Sequence, residues 1–209
     1  MLEYYEQRQP EYEQIYSIIE RQDDLAWLQR RLEASVLGRR VLEAACGTGY
    51  WTRRIANAAL YVLATDASEK LAKSALESCE GGHVDYRVMD AFQIPDSSEF
   101  DVFLAGFFFS HIKIQQRRTF MKGIDRAMKP GSRVILFDNR YVEGCSTPIS
   151  SRSEHGDTYQ TRILSDGSRY EVLKNFPDQE ELEILMEEFC HDVSIEESDY
   201  FWLAMGTLK

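Results

Sequence analysis

Long apolar runs are missing from this 209-residue sequence, and none approaches the roughly 20 residues that a membrane-crossing helix requires. The opening Met-Leu-Glu-Tyr-Tyr-Glu-Gln has neither the basic nor the apolar part of a secretion signal, so a soluble, cytoplasmic protein with no membrane partner is expected. Cysteine is sparse. Cys46, Cys79, Cys145 and Cys190 form no Cys-x-x-Cys pair and no zinc-like spacing, and the four histidines are equally scattered. Free thiols, buried or half-buried, are expected and a metal site is not. Positive charge is also scarce, with 24 Lys and Arg against 35 Asp and Glu for a net charge of -11. A broad phosphate-binding surface, and with it a nucleic-acid partner, is disfavoured on that balance. Internal repeats and low-complexity linkers are absent, and the length suits one domain with one core.

What is present is organised around Val41 to Thr52, Val-Leu-Glu-Ala-Ala-Cys-Gly-Thr-Gly-Tyr-Trp-Thr, which reads as strand, tight loop and helix. Glycines 47 and 49 remove the Cβ atoms that would block a ligand from backbone N–H groups and a helix N-terminus, although such a turn also arises for packing alone. A dinucleotide-binding loop would place glycine or alanine at position 52, where this chain has Thr52. A triphosphate-binding Gly-x4-Gly-Lys-Ser/Thr loop is absent. A second apolar run, Leu60 to Thr65, ends in Asp66, and a third, Val84 to Met89, ends in Asp90. Three strands in succession thus carry Glu43, Asp66 and Asp90 near their carboxyl ends, which in a parallel open sheet line one crevice.

The remaining pattern alternates in the same way. Tyr12, Ile15, Tyr16 and Ile19 fall at helical spacing, and Leu25, Leu28, Leu32 and Val36 form a second stripe, with Asp23 as a cap and Gly38 as a stop. The helix from Tyr50 to Ala58 turns Trp51, Ile55 and Ala58 inward. Ser68 caps a helix whose inward face is Leu71, Ala72, Ala75, Leu76 and Cys79, stopped by Gly81-Gly82. A fourth strand lies within Phe100 to Phe107, a helix carries Phe120, Met121, Ile124, Ala127 and Met128, and a fifth strand covers Arg133 to Asp138. Thr158 to Leu164 and Arg169 to Leu173 flank the hairpin turn Asp166-Gly167. Pro177-Asp178 starts a last helix, with Leu182, Leu185, Met186 and Phe189 facing in, before strands near Asp192 to Glu197 and Tyr200 to Leu208. Strand and helix in alternation predict an α/β fold with a parallel sheet and right-handed crossovers.

The strand, acid and Gly-x-Gly of Glu43 to Gly49, the acids Asp66 and Asp90 after the next two strands, and the Lys-Pro-Gly-Ser turn at 129–132 together resemble the class I S-adenosylmethionine-dependent methyltransferase family, small-molecule branch. The likeness runs from about Leu37 to Asn139 and departs from the commonest motif at Ala45, where that motif has glycine. It implies a Rossmann-like domain: an open, mostly parallel seven-stranded sheet with helices on both faces and a β-hairpin insertion after the fifth strand. Within it, residues 1–37 would form a helical lid, 38–139 the cofactor-binding core, 140–176 the insertion, and 177–209 the closing helix and strands. The insertion either covers the acceptor or merely shields a sheet edge.

Carried over by motif, Asp66 would accept the ribose hydroxyls of S-adenosyl-L-methionine. Asp90 and the Ala91 amide would read the adenine edge, with Ala67 and Phe92 on the two ring faces. Ala45, Gly47 and Gly49 would approach the methionine part, Glu43 would act on its ammonium group, and Tyr5 and Arg8 would reach its carboxylate. Phe107 would border the sulfonium. His111 is the candidate general base, since imidazole titrates at about pH 6.5 and can take a proton from a hydroxyl or ammonium acceptor; a structural hydrogen-bonding role is the competing reading. Asp138, Arg140 and Tyr141 are candidate acceptor contacts. The acid that accompanies Asp138-Asn139 in magnesium-dependent relatives is replaced by Ala105 and Gly106, so no metal is expected. The expected activity is methyl transfer to a small molecule at oxygen, nitrogen or carbon. Methylation of a protein, or non-catalytic binding of the cofactor or its demethylated product, are the alternatives.

Overall fold

The computed structural model describes residues 2–78 and 83–209, without the side chains of residues 2, 10–12, 77 and 78. The chain opens with helix α1 (Leu2–Arg8), two 3-10 segments (Gln9–Ser17 and Ile19–Arg21) and helix α2 (Gln22–Val36). Strand β1 (Arg40–Ala44), helix α3 (Tyr50–Ala56), β2 (Tyr61–Asp66), α4 (Glu69–Ser78) and β3 (Val84–Val88) follow, then β4 (Val102–Gly106), α5 (Ile114–Ala127) and β5 (Arg133–Asn139). A three-stranded insertion, β6 (Ser151–Arg152), β7 (Thr158–Ile163) and β8 (Arg169–Leu173), precedes α6 (Gln179–Phe189), β9 (Cys190–Glu197) and β10 (Phe201–Leu208).

Seven strands form one sheet in the order β3-β2-β1-β4-β5-β10-β9, in which β10 runs opposite to the other six. Both faces are buried, so the central strands read as near-continuous apolar sequence with successive residues serving opposite layers. Along β5, Val134 and Leu136 pack with Phe120 and Met186 on the α5/α6 face, while Ile135 and Phe137 pack with Leu28, Leu32 and Trp51 on the α2/α3 face. Burying each large side chain contributes about 1.5–3 kcal/mol, so a one-residue slip in register would forfeit the core on both faces. The chain leaves β1 in one direction to β2 and β3 and returns on its other side to β4. This creates a switch point at the carboxyl ends of β1 and β4, where ligands of open α/β sheets bind. No described helix is long and apolar enough to cross a membrane.

The expected elements are present, with local corrections. The stripe from Tyr12 to Ile19 forms 3-10 turns rather than an α-helix. Pro10 sits at their start, Ile18 is extended, and Ile19 is 83% exposed. The Tyr12 side chain lies outside the described residues, and Tyr16 docks on the core, stacked on Tyr50 with ring centroids 3.5 Å apart. Asp23 lies in the first turn of α2, whose N-cap is Arg21, and caps nothing. Its neighbour Asp24 accepts the Tyr200 amide instead. Helix α3 stops at Ala56, two residues short of Ala58. Leu76 is exposed, because α4 covers only the sheet's margin at β2 and β3; Cys79, Gly81 and Gly82 lie outside the described residues. Cys145 is exposed rather than buried.

Candidate active site

Three left-handed residues in five, Ala45 (φ 55°), Gly47 (φ 58°) and Gly49 (φ 78°), turn the chain from β1 into α3. The two glycines have different reasons to be glycine. A Cβ on Gly49 would sit 3.0 Å from Ala75 Cβ, so this position lets α3 and α4 approach, which is the packing role such turns also serve. Gly47 instead lines a cavity, and its amide donates to Asp66 Oδ2 at 2.9 Å. Ala45, where the commonest motif has glycine, holds a conformation that costs an L-residue about 1–2 kcal/mol. Phe107, the residue after β4, is likewise left-handed (φ 54°).

That cavity has a volume of about 300 Å³. The structure gathers Tyr5, Ala45, Gly47, Asp66, Ala67, Asp90, Ala91, Phe92, Phe107 and His111 on its wall, together with Leu71, Met89 and Phe108, which the motifs did not mark. Asp66 Oδ1 accepts the Ser68 amide at 2.8 Å, so the carboxylate ties loop to helix while further lone pairs remain for a ligand. Burial, only partly offset by these backbone donors, raises the Asp66 pKa. The Asp90 carboxylate is exposed and accepts the Phe92 amide at 2.9 Å in a turn that presents Ala91 and Phe92 to the cavity. Glu43 and Gly49 lie beneath this wall, not on it. The alternation of β1 points Glu43 at α3, where Thr52 Oγ1 donates to it at 2.7 Å. Burial pushes its pKa up to about 7 despite that hydrogen bond.

A second cavity of about 210 Å³ adjoins the first across Tyr5, Phe107 and His111, which line both. Its walls come from α1 and the 3-10 segments (Arg8, Arg21), from the end of β5 (Asn139, Arg140) and from the insertion (Gln160, Arg162, Val172, Lys174). Arg8, expected near the cofactor's carboxylate, faces this cavity instead. The insertion therefore lies over the site and not along a sheet edge, where β3 and β9 stand. Tyr4 packs on Leu164 and Val172 of the hairpin, Ser68 Oγ donates to Glu6 at 2.7 Å, and Arg53 pairs with Glu13 at 2.6 Å. The amino-terminal segment is thus fastened to hairpin, α4 and α3 alike.

His111 ends a 3-10 turn after β4 (Phe109–His111) and is buried. Its Nδ1 lies 2.6 Å from the Leu173 carbonyl oxygen, which can only accept, so Nδ1 carries the proton. Nε2 is left to accept the Tyr5 hydroxyl at 2.6 Å. Burial, reinforced by the Lys174 charge, lowers the His111 pKa to about 3 and keeps the ring neutral. Asp138 does not reach the cavity: it is fully buried and accepts the Ser110 and Asn139 amides and Lys174 Nζ, the last at 2.7 Å. Burial alone would raise its pKa, and the Lys174 charge reverses that, so the carboxyl stays ionised. Tyr141 packs on Phe176, away from the shared wall. Among the described residues, no group of three His, Cys, Asp or Glu side chains is placed to hold a metal ion. Arg21, Arg162 and Lys174 went unmarked in the sequence. One signal was there: Thr158, Gln160 and Arg162 share a face of β7, and on that face Thr158 and Gln160 are buried although polar.

Residues 41–131 match a family model described as a methyltransferase domain. The O-methyltransferase rstn1 of Aspergillus nomiae is 32% identical over 121 residues, 55% of this chain and 53% of that protein. The demethylmenaquinone methyltransferase of Clavibacter sepedonicus is 28% identical over 169 residues, 73% of this chain and 65% of that one. The matched spans thus cover about half to two thirds of these curated relatives. Among solved structures, the DhpI–SAM–HEP complex is 26% identical with a TM-score of 0.77, covering 98% of this chain and 94% of that one. The DhpI–SAH complex superposes with a TM-score of 0.76 at 25% identity, covering 98% and 93%.

Proposed function

Because this chain belongs to the class I S-adenosylmethionine-dependent methyltransferase family, we propose that it transfers a methyl group from that cofactor to a small-molecule acceptor held in the second cavity. The observation that carries this reading is the meeting of two cavities at Tyr5, Phe107 and His111. The residues present fit the cofactor. Asp66 keeps lone pairs for the ribose hydroxyls, the Ala67, Met89, Ala91 and Phe92 surfaces suit the adenine, and Ala45 and Gly47 border the methionine part. Bound there, S-adenosylmethionine supplies an electrophilic methyl group on a sulfonium, which needs no protein nucleophile.

This chain's own contribution is then positioning and exclusion of water. Phe107 stands at the boundary, its ring packed against Trp51, Phe137 and Phe201, and offers an aromatic surface to a cation. The amino-terminal segment acts as the lid, and the insertion roofs the acceptor. Tyr5 and His111 form one unit: a proton taken from an acceptor passes to the Tyr5 oxygen as the Tyr5 hydroxyl proton moves to His111 Nε2, and an acceptor already ionised needs no such transfer. A roofed cavity of about 210 Å³ favours a small acceptor over a protein segment, which would need an open groove.

Calorimetry with S-adenosylmethionine and S-adenosylhomocysteine tests the cofactor site. Asp66→Ala is expected to weaken binding by about 1–3 kcal/mol, and unchanged affinity in the folded variant would reject the assignment. Transfer of label from a methyl-labelled cofactor to a panel of small molecules tests the reaction; tight cofactor binding with no transfer to any of them would favour the non-catalytic alternative.

A further inference from the structure

We propose that the acceptor is an anion: a small molecule carrying a phosphorus oxyanion or a carboxylate, which the second cavity holds against Arg162 and Arg21. This rests on the function proposed above and adds the acceptor's chemical class. The chain carries a net charge of -11, yet five of its cations, Arg8, Arg21, Arg140, Arg162 and Lys174, meet on one wall of about 210 Å³. No Asp or Glu is among the described residues lining it.

Lys174 and Arg140 have their charge matched from behind the wall. Lys174 pairs with Asp138 at 2.7 Å, and Arg140 with Glu197 at 3.2 Å. Arg162 donates to neutral oxygens, Thr147 Oγ1 at 2.8 Å and Gln160 Oε1 at 2.5 Å, which fix its guanidinium without cancelling its charge. Arg21 lies over the Tyr200 ring, its guanidinium carbon 5.3 Å from the ring centroid. Burial is the first cause that lowers the Arg162 pKa; Tyr4 and Tyr5 oppose it, and the like charges of Arg8 and Arg21 add to it. Gathering like charges around a hollow is costly unless something negative enters it. A planar guanidinium offers the paired donors that carboxylate and phosphate oxygens accept. The apolar part of the wall, Ile15, Ile18, Val172 and Phe176, suits the uncharged part of a compact molecule.

The position of the cluster separates it from the cofactor site. None of the five cations is on the wall of the first cavity, whose described charged residues are Asp66 and Asp90. An anion seated at Arg162 therefore lies on the far side of Tyr5 and His111 from the adenosyl pocket.

The test is calorimetric titration of inorganic phosphate, methylphosphonate and acetate into the chain, free and saturated with S-adenosylhomocysteine, with Arg162→Met and Arg21→Met in parallel and folding checked by circular dichroism. The expected result is that at least one anion binds the saturated chain and that each variant weakens it about tenfold or more, while affinity for S-adenosylhomocysteine stays within about twofold. Phosphate and methylphosphonate binding without acetate would assign a phosphorus oxyanion, and the reverse a carboxylate. Absence of all binding, or equal binding by the wild type and both folded variants, would overturn the proposal. So would competition with S-adenosylhomocysteine, which would give the cations to the cofactor's own carboxylate. Failure of S-adenosylhomocysteine itself to bind would instead overturn the function proposed above.

Discussion

Two carboxylates are buried at the carboxyl ends of parallel strands, and their surroundings are opposite. Glu43 on β1 meets the Thr52 hydroxyl and, among the described residues, no cation, and burial raises its pKa to about 7. Asp138 on β5 meets Lys174, which keeps its carboxyl ionised. The same division runs through the whole crevice. On the β1–β3 side the described charged residues of the wall are acids, Asp66 and Asp90; on the β4–β5 side they are five cations delivered by the lid, the strand end and the insertion. The difference teaches where each charge is decided. The sheet supplies an acid in both halves, and the element packed over it, α3 in one case and the insertion in the other, determines whether that acid is paired. A crevice polarised in this way suits a cationic donor on one side and an anionic acceptor on the other, which net charge alone would not reveal.

The largest effect is expected where the pairing is deepest. Lys174→Met strips Asp138 of its counterion and removes the donor to Ser110 Oγ, leaving a buried charge that Ser110 and Asn139 amides alone must satisfy. Breaking a buried pair costs about 3–5 kcal/mol, so the urea midpoint at pH 7 should fall steeply. Adding Asp138→Asn, which removes the stranded charge and keeps an acceptor oxygen, should recover much of that loss. A Lys174→Met protein as stable as wild type would show that the two halves are electrostatically alike after all.

Glu43 should behave in the contrary sense. Its pKa is raised in the fold from 4.5 to about 7, so the folded chain keeps a proton that the unfolded chain has released. The stability this contributes is fully present below 4.5 and is lost as pH rises to about 7, amounting to about 3 kcal/mol at most. His111 works in the opposite direction: with its pKa lowered from 6.5 to about 3, its contribution is present above 6.5 and is lost as pH falls. Thr52 and Asp66 are the groups that act on Glu43, and Lys174, Asp138 and Arg162 those that act on His111 beyond its own hydrogen bonds. The difference in unfolding free energy between wild type and Glu43→Gln isolates the first effect. It should favour the variant above pH 7 and shift toward wild type by roughly 1.4 kcal/mol per unit as pH falls from 7 to 4.5. A difference independent of pH would mean that Glu43 is as freely ionised as Asp138.

The acidic half of this crevice was legible in the sequence and the basic half was not. Asp66, Asp90 and Gly47 follow directly on apolar strands, so their placement depends on local order and on the sheet's topology. Arg21, Arg162 and Lys174 reach one cavity from segments more than a hundred residues apart, and each taken singly reads as an ordinary surface cation. Glu43 was expected to act on the cofactor's ammonium group, but its direction depends on which layer β1 turns it toward, and that is α3. The 3-10 turns after Pro10 were hidden by tyrosine and isoleucine at helical spacing, a pattern that a tighter helix satisfies for Tyr16 and abandons at Ile19.

The smallest effect concerns the strained strand ends that border the crevice. Ala45 after β1 and Phe107 after β4 are both left-handed, and the side chain of Phe107 is anchored by the Trp51, Phe137 and Phe201 rings, whereas Ala45 has one methyl group to set against its strain. Ala45→Gly would relieve about 1–2 kcal/mol of that strain while giving back about 0.4–1 kcal/mol through the greater freedom of the unfolded chain. A net gain of between zero and about 1.6 kcal/mol follows, seen as a rise of no more than about 6 °C in melting temperature. A loss of stability would mean that the alanine methyl makes contacts worth more than its backbone costs. The departure from glycine at this position would then be a packing requirement of the acidic half, comparable to the ring cluster that holds Phe107.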